Sequence, residues 1–466
     1  MIRAFEMFLY SRHSGGHSKL DSLPTLSLGG NRNMKIWPNS YRLMSLVVGC
    51  VLFAQASASE RPNILFILAD DVGREALECY GGTSYATPNL NQLAANGAIF
   101  DHCYAMPVCH PTRVTLLTGQ YPRHLGNPKW GSFPKKVESR TFASIAKGAG
   151  YATAVAGKWQ LSLMGKDLNQ PQRMGFDQWS LFGWHEGPRY HDPMIYENGR
   201  LRSDTTGKYG PDLYVDFLLD FMKQSKNDKK RFMAFYSMAL CHDVTDDLKK
   251  PVPHGPRGRY DNFAEMVEQM DSHVGQLMTF LKSSGLEDNT LVIFTADNGT
   301  AVRSKLSAIG NRNNFVYENP VSEFQGKSVP GGKGKLTDWG TRVPGIAVWK
   351  GIIKPGQSWD NLIDFSDFLP TFTDLIGGQL PADTQLDGHS FASLLRGQDR
   401  SKRQWAYAEH RGRFFVKTRD RKLYSTGEFF NTSVDPFEKS PLDKSSLSLE
   451  AKSDWRRLKQ AVAELK

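Results

Sequence analysis

Two acidic pairs and one cysteine are the residues of this chain whose types and placement could do chemistry. Asp70-Asp71 follows the apolar run 63–69, and Asp297-Asn298-Gly299 follows the apolar run 290–296. Either one alone reads as an ordinary turn or helix cap, because Asp and Asn readily bond nearby backbone. Two of them, each at the end of a buried strand, would set several hard oxygens at one point. Such a cluster repels itself without a cation, and oxygen-only ligation selects calcium or magnesium over zinc. The cysteine opens Cys109-His110-Pro111-Thr112-Arg113, which runs on through Val114 to Thr118-Gly119. Its plain reading is a buried thiol at the start of a helix, with Pro111 in the first turn.

Three apolar runs must position these groups: 63–69, 231–237 (followed shortly by His242) and 290–296. Each has the look of a strand buried on both faces. Helical stretches lie between them. One spans 88–96 and ends at Gly97. Another spans 261–283, with Phe263, Met266, Met270, Val274, Leu277 and Leu281 at roughly helical spacing. Strands alternating with helices predict an α/β fold, a large, mostly parallel sheet flanked by helices. Polar residues just beyond the strand C-terminal ends form the site in such sheets. After about residue 385 the pattern shortens and gains charge. Small antiparallel strands are expected at 405–410, 413–418 and 422–425, closed by a charged helix from about Ser448. No internal repeat or coiled coil is visible.

The motif Cys-x-Pro-x-Arg with Thr-Gly shortly after resembles the type I, formylglycine-dependent sulfatases of the alkaline phosphatase superfamily, such as secreted bacterial arylsulfatase-type enzymes. The resemblance implies that Cys109 is converted to formylglycine by a formylglycine-generating or anaerobic maturation enzyme. Thr112 stands where that family usually has Ser, which keeps the hydroxyl. Asn63 to Gly82 looks like the family's opening strand and Asp-Asp-x-Gly turn, with Asp70 and Asp71 as metal ligands. Thr87-Pro88-Asn89-Leu90 and Leu93-Ala94-x-x-Gly97 match its next helix. Gly157-Lys158-Trp159 matches the segment whose lysine contacts sulfate, and His242 falls near the leaving-group oxygen. Asp297 and Asn298 match the second pair of metal ligands. Gly332-Lys333-Gly334, with Gly340-Thr341-Arg342-Val343-Pro344, matches the segment carrying the last lysine, and Asp435-Pro436-x-Glu438 the start of the final turn and helix. The implied fold is an alkaline-phosphatase-like large mixed sheet with a smaller C-terminal antiparallel-sheet subdomain.

The resemblance implies a mechanism. A hydrated aldehyde at residue 109 offers two hydroxyls on one carbon, one to attack sulfur and one to expel sulfate. A helix N-terminus and a cation, Ca2+ or Mg2+, favour an oxyanion there, and Arg113 can hold the hydrate. The metal set is Asp70, Asp71, Cys109, Asp297 and Asn298, with Asp297 able to accept the hydroxyl proton. Lys158 and Lys333 neutralise sulfate oxygens, and His242, with Lys333, protonates the leaving alcohol. One position departs. Gln160 stands where the family has a histidine that helps release sulfate. Gln160 can hydrogen-bond a sulfate oxygen but cannot take a proton at neutral pH. The substrate expected is a sulfated carbohydrate or an aryl sulfate. Two other readings are a phosphonate or phosphodiester hydrolase of the same superfamily and a catalytically impaired sulfated-glycan-binding protein. His110 and His124 read as rim or structural residues, and Cys79 and Cys103 as buried thiols. Asn431-Thr432-Ser433 is a glycosylation sequon that would be better exposed than Asn298-Gly299-Thr300. Some residues of 184–186 and 189–192 are expected to line the pocket.

The 466 residues are 40% hydrophobic and 23% charged, enough for a large core and a smaller second domain. The net charge is +10, of which residues 1–58 carry +4, so the remainder keeps +6. That balance favours anionic partners. No dense Lys/Arg run or nucleic-acid motif is present, so nucleic acid is not expected as a partner. Five cysteines, Cys50, Cys79, Cys103, Cys109 and Cys241, make no disulfide framework. With Cys109 modified and Cys50 in a targeting segment, one disulfide at most is expected. The N-terminus reads as an export signal, with Lys35 and Arg42 before the apolar stretch 43–53 and Ala56-Ser57-Ala58 as the cleavage pattern. Met34 is a candidate true start, and Val48-Gly49-Cys50 faintly resembles a lipoprotein site. The expected organisation is a signal region 1–58, a catalytic domain 59–385 and a small α+β subdomain 386–466. The expected product is a secreted or periplasmic protein that does not span a membrane.

Overall fold

The computed structural model describes residues 61–183, 186–243, 260–308, 315–398 and 402–465. The signal-region residues, with Met34, Cys50 and the cleavage pattern, lie outside them, as do Trp184 and His185. The described residues belong to one compact unit, Ser59–Lys466.

Eleven strands of the described residues form the main sheet. Its centre is parallel. Strand Asn63–Ala69 lies between Phe232–Ser237 and Thr290–Ala296, and Ala152–Lys158 with Gln178–Phe182 continues beyond Phe232–Ser237. The flanks are antiparallel apart from Gln357–Asp364, which pairs in parallel with Ala98–Tyr104. Every residue of the three strands nearest the centre is buried, as a strand covered on both faces requires. Alternation shows what covers each face. Phe66 and Phe235 stack at 5.4 Å, and Phe142 and Phe372 from two helices pack onto them. On the opposite face, Phe232 meets Phe221 and Tyr236 bonds Pro211, both residues of helix Gly210–Asn227. Burying one such ring contributes roughly 1.5–3 kcal/mol.

Register then places the chemistry. Leu68 pairs Ser237 and Ala69 pairs Ala296, so Asp70 and Asp297 emerge side by side past neighbouring strand ends. The helix expected over 261–283 begins at Phe263. Asn262 caps Glu265 N at 3.0 Å, and the Glu265 carboxylate takes Asp261 N, so the first two residues serve as the cap.

The C-terminal strands form a separate meander, Ala406–His410, Arg413–Lys417, Arg421–Tyr424 and Phe429–Asn431, with helix Leu449–Glu464 behind it. Phe429–Asn431 is a strand the sequence pattern did not show. The meander has its own apolar core, around Tyr407, Phe415, Leu423 and Leu458, shared with Tyr104 and Tyr121. A buried charge cluster marks the seam. Lys417 and Lys422 each lie 2.8 Å from an oxygen of Asp338, and Lys422 lies 2.6 Å from Glu438. Cys79, Cys103, Cys109 and Cys241 are all unpaired, so no disulfide forms among the described residues. Cys79 is only partly buried, unlike Cys103.

Candidate active site

Cys109 is the first residue of helix Cys109–Thr118, and its side chain sits at the base of a cleft of about 520 Å³. It is 4% exposed. The thiol lies 3.5 Å from Asp70 Oδ1 and 3.9 Å from Asp71 Oδ1. Thr112, one turn along, donates to the Asp297 carbonyl at 2.8 Å, which fixes the helix start against the second acidic pair. That bond needs the hydroxyl that Thr and Ser share.

The acidic pairs meet as the strand ends dictate. Asp71 N donates to Asp297 Oδ1 at 3.3 Å, and Asn298 Nδ2 donates to Asp71 Oδ1 at 2.8 Å. Asp71 holds a left-handed φ of 60°, and its carboxylate meets Cys109, Asn298 and Lys333. Asn298 Oδ1 is buried and has no hydrogen-bond partner. A buried acceptor without a donor costs about 1–3 kcal/mol. Three carboxylates and an open amide oxygen in one dry volume suit a hard divalent cation. Asp70, Asp71, Cys109 and His242 all bring ligand atoms within 4.8 Å of one another.

Cations surround the acids. Lys158 lies 2.5 Å from Asp70 Oδ2, Lys333 lies 2.6 Å from Asp71 Oδ2, and Arg113 lies 2.8 Å from Asp297 Oδ2. Arg113 also donates to Ser237 Oγ, while its Nε is unpartnered. Burial, followed by the Asp297 charge, pushes the Asp70 carboxyl up to about 7. Burial would raise Asp297 too, but Arg113 and then Lys158 outweigh it and hold it below the usual range. Burial, then Lys333 and Lys158, drives His242 well below its ordinary value, so its imidazole is neutral at neutral pH. Burial raises the Cys109 thiol, so it is no thiolate.

Two glycines permit this packing. A Cβ on Gly157 would lie 2.0 Å from the Ser237 carbonyl, blocking the strand that delivers Lys158. A Cβ on Gly299 would lie 1.8 Å from the Trp339 carbonyl, pushing the Lys333 segment off the second acidic pair.

Of the expected site residues, Asp70, Asp71, Cys109, Arg113, Lys158, Asp297, Asn298 and Lys333 form one contact network. His242 and Gln160 line the same cleft as Cys109 and Lys333. Gln160 is 4% exposed, has φ 62°, and its Oε1 has no partner. His110 lines the cleft and bonds the Ser132 carbonyl through Nε2 at 2.8 Å, whereas His124 sits on Asp387 at 2.9 Å. The loop at 186–192 does not line the cleft. Glu186 instead accepts from Met164 N and Gly165 N, and Arg189 is buried with Nη1 3.2 Å from His242 Nδ1.

Sequence reasoning missed Ser237, which the strand-end rule would have found as the last residue of its apolar run. It also missed the cleft mouth, formed by Trp130 and by Glu409 to Gly412. Its only signal was the break between two short charged strands.

A family model described as Sulfatase matches residues 62–378. Human arylsulfatase A is 31% identical over 422 residues, covering 83% of this chain and 79% of its own. The chain belongs to the sulfatase family. It is a sulfuric ester hydrolase. This sulfatase is also 29% identical over 387 residues to the dog (Canis lupus familiaris) N-acetylgalactosamine-6-sulfatase, covering 77% of this chain and 70% of that one. Its fold is shared with the PsFucS1 sulfatase of Pseudoalteromonas sp., at a TM-score of 0.67, 21% identity, and coverage of 90% and 93%. Among the described residues, no helix of the sulfatase is long and apolar enough to cross a membrane.

Proposed function

We propose that this sulfatase cleaves sulfate from a sulfated carbohydrate, with Cys109 as the precursor of a formylglycine nucleophile and a bound calcium ion beside it. Magnesium suits the same oxygens. The observation that carries the reading is the position of Cys109 Sγ, 3.5 Å from Asp70 Oδ1 at the base of the cleft. A free, reactive thiol would need a lowered pKa, and burial here raises it. Position 109 therefore suits a group other than the thiol. The carbohydrate class is supported by the relative that is an N-acetylgalactosamine-6-sulfatase.

Asp70, Asp71, Asp297 and Asn298 would hold the cation together with residue 109, and the open Asn298 Oδ1 fits that role. When bound, the cation supplies charge that polarises the ester and favours the anionic form of the attacking hydroxyl. The aldehyde hydrate supplies two hydroxyls on one carbon, one for attack and one for release. The chain's own residues do the rest. Arg113 and Asp71 N fix Asp297, which leaves the oxygens of Asp70 and Asp71 nearest residue 109 to take its proton. Lys158 and Lys333 close the charge balance of the floor, and Lys333 reaches the cleft to meet sulfate oxygens. His242 reaches the cleft backed by Arg189, placed as a neutral imidazole to offer a hydrogen bond to the leaving-group oxygen. Gln160 offers an amide to a sulfate oxygen or sugar hydroxyl.

The reading includes a maturation enzyme acting on Cys109, export by the signal region to a secreted or periplasmic location, and a catalytic domain 59–385 followed by a subdomain 386–466. The test is the mass of the peptide spanning residue 109 in active enzyme. An aldehyde or its hydrate is expected, and an unmodified thiol in enzyme that turns over would sink the mechanism.

A further inference from the structure

The mouth of the cleft is built from a hairpin that sulfate chemistry alone does not require. Strands Ala406–His410 and Arg413–Lys417 pair up to His410 opposite Arg413, leaving a two-residue loop, Arg411-Gly412. Both loop residues have positive φ, 50° and 79°. This is the two-residue turn whose twist matches the strands, and its first position favours Asn, Asp or Gly. An arginine there is held in a left-handed conformation that a Cβ disfavours. Such a departure at a cleft mouth points toward function.

The surrounding charges are otherwise engaged. Glu409 accepts Arg123 N at 2.9 Å, Arg123 lies over the Phe414 ring, and Arg413 lies 3.0 Å from Glu428. Arg411 is exposed, and no carboxylate of the described residues pairs with it. In the same cleft wall lies Trp130, 43% exposed, a ring whose flat face suits the C–H face of a pyranose.

We propose that Arg411 binds a second anionic group, a carboxylate or a further sulfate, on the sugar whose sulfate ester reaches residue 109, with Trp130 packed against the ring. The guanidinium fork matches either anion through two parallel hydrogen bonds. The proposal rests on the sulfatase reading and narrows its substrate to a multiply acidic sugar.

The test measures kcat and KM for three sugars with the same scissile sulfate. One is otherwise neutral, one carries a uronate carboxylate, and one carries a second sulfate. The wild-type enzyme is expected to favour at least one acidic sugar about tenfold or more in kcat/KM, mostly through KM. Whichever sugar gains more identifies the anion. Arg411→Asn suits the turn better than arginine and brings the acidic-to-neutral ratio near one. Arg411→Lys keeps the charge, loses the fork and gives an intermediate ratio. No preference in the wild-type enzyme, or the same preference in Arg411→Asn, overturns the proposal. A small aryl sulfate separates the two readings. If the wild-type enzyme releases its sulfate but shows no acidic preference, only the role of Arg411 fails. If it releases sulfate from neither the aryl sulfate nor any of the three sugars, both fail together.

Discussion

The sulfatase buries two clusters of charge, and they are balanced differently. The floor of the cleft holds Asp70, Asp71 and Asp297 against Lys158, Lys333 and Arg113. The seam holds Asp338 and Glu438 against Lys417, Lys422 and Arg342. Each displaces one group toward neutrality. In the floor it is an acid, Asp70, pushed up to about 7 by burial and by Asp297. In the seam it is a base, Lys417, which burial pushes down to about 7, with Lys422 and Arg342 adding to the effect against Asp338. The floor pairs three acids with three bases and keeps an open oxygen on Asn298. The seam has positive charge to spare. A buried ion cluster by itself is weak grounds for function. Access to a cleft separates the site from the staple.

The largest contrast is in turnover. Cys109→Ala is expected to lower sulfate release by about 10⁴-fold or more, since removing a nucleophile leaves only residual binding effects. Retained turnover in that variant would break the assignment of the floor. Next comes the seam. Asp338→Asn leaves Lys417 and Lys422 without their shared carboxylate, and breaking a buried pair costs about 3–5 kcal/mol. Urea unfolding should show that loss, and an unchanged midpoint would mean the seam is not under charge stress. Removal of divalent cations should destabilise the floor. Calcium at a hundred times its dissociation constant stabilises by about 2.7 kcal/mol, so chelation should lower the melting temperature and calcium should restore it. A melting temperature indifferent to chelator would contradict a cation site.

A further contrast concerns pH. Lys417 has its folded pKa lowered from 10.5 to about 7. Between those values the unfolded chain binds the extra proton, so this group's contribution to stability rises with pH from about 7 to 10.5. Below pH 7 both states are protonated and its cost is constant. Lys417→Met should flatten that slope and match or exceed wild-type stability at pH 7. A slope retained in the variant would assign it to another group.

Much of the floor was legible in sequence because parallel central strands must be apolar throughout, so Asp70-Asp71 and Asp297-Asn298 stand out as abrupt ends. Burial on both faces explains why 63–69 and 290–296 read correctly, residue for residue. The seam was not legible. Asp338, Lys417 and Lys422 look like surface residues, and only packing between distant segments buries them. Arg411 was lost for a similar reason. Its strands were anticipated, but nothing local says that their turn faces residue 109. Arg113 shows a subtler limit. The motif placed it one turn from Cys109, yet its guanidinium is committed to Asp297 and Ser237, partners fixed by strand register.

The bond from Asp71 N to Asp297 joins residues 226 apart in the chain. During synthesis the first acidic pair and Cys109 are made long before the second pair exists. Strand Thr290–Ala296 must arrive before the floor can close, and such distant pairings form late because the loop entropy is paid first. Residue 109 therefore spends the early life of the polypeptide on an open chain and the rest sealed at 4% exposure. Any enzyme that must grip its backbone has a deadline, set by the clock of translation and folding.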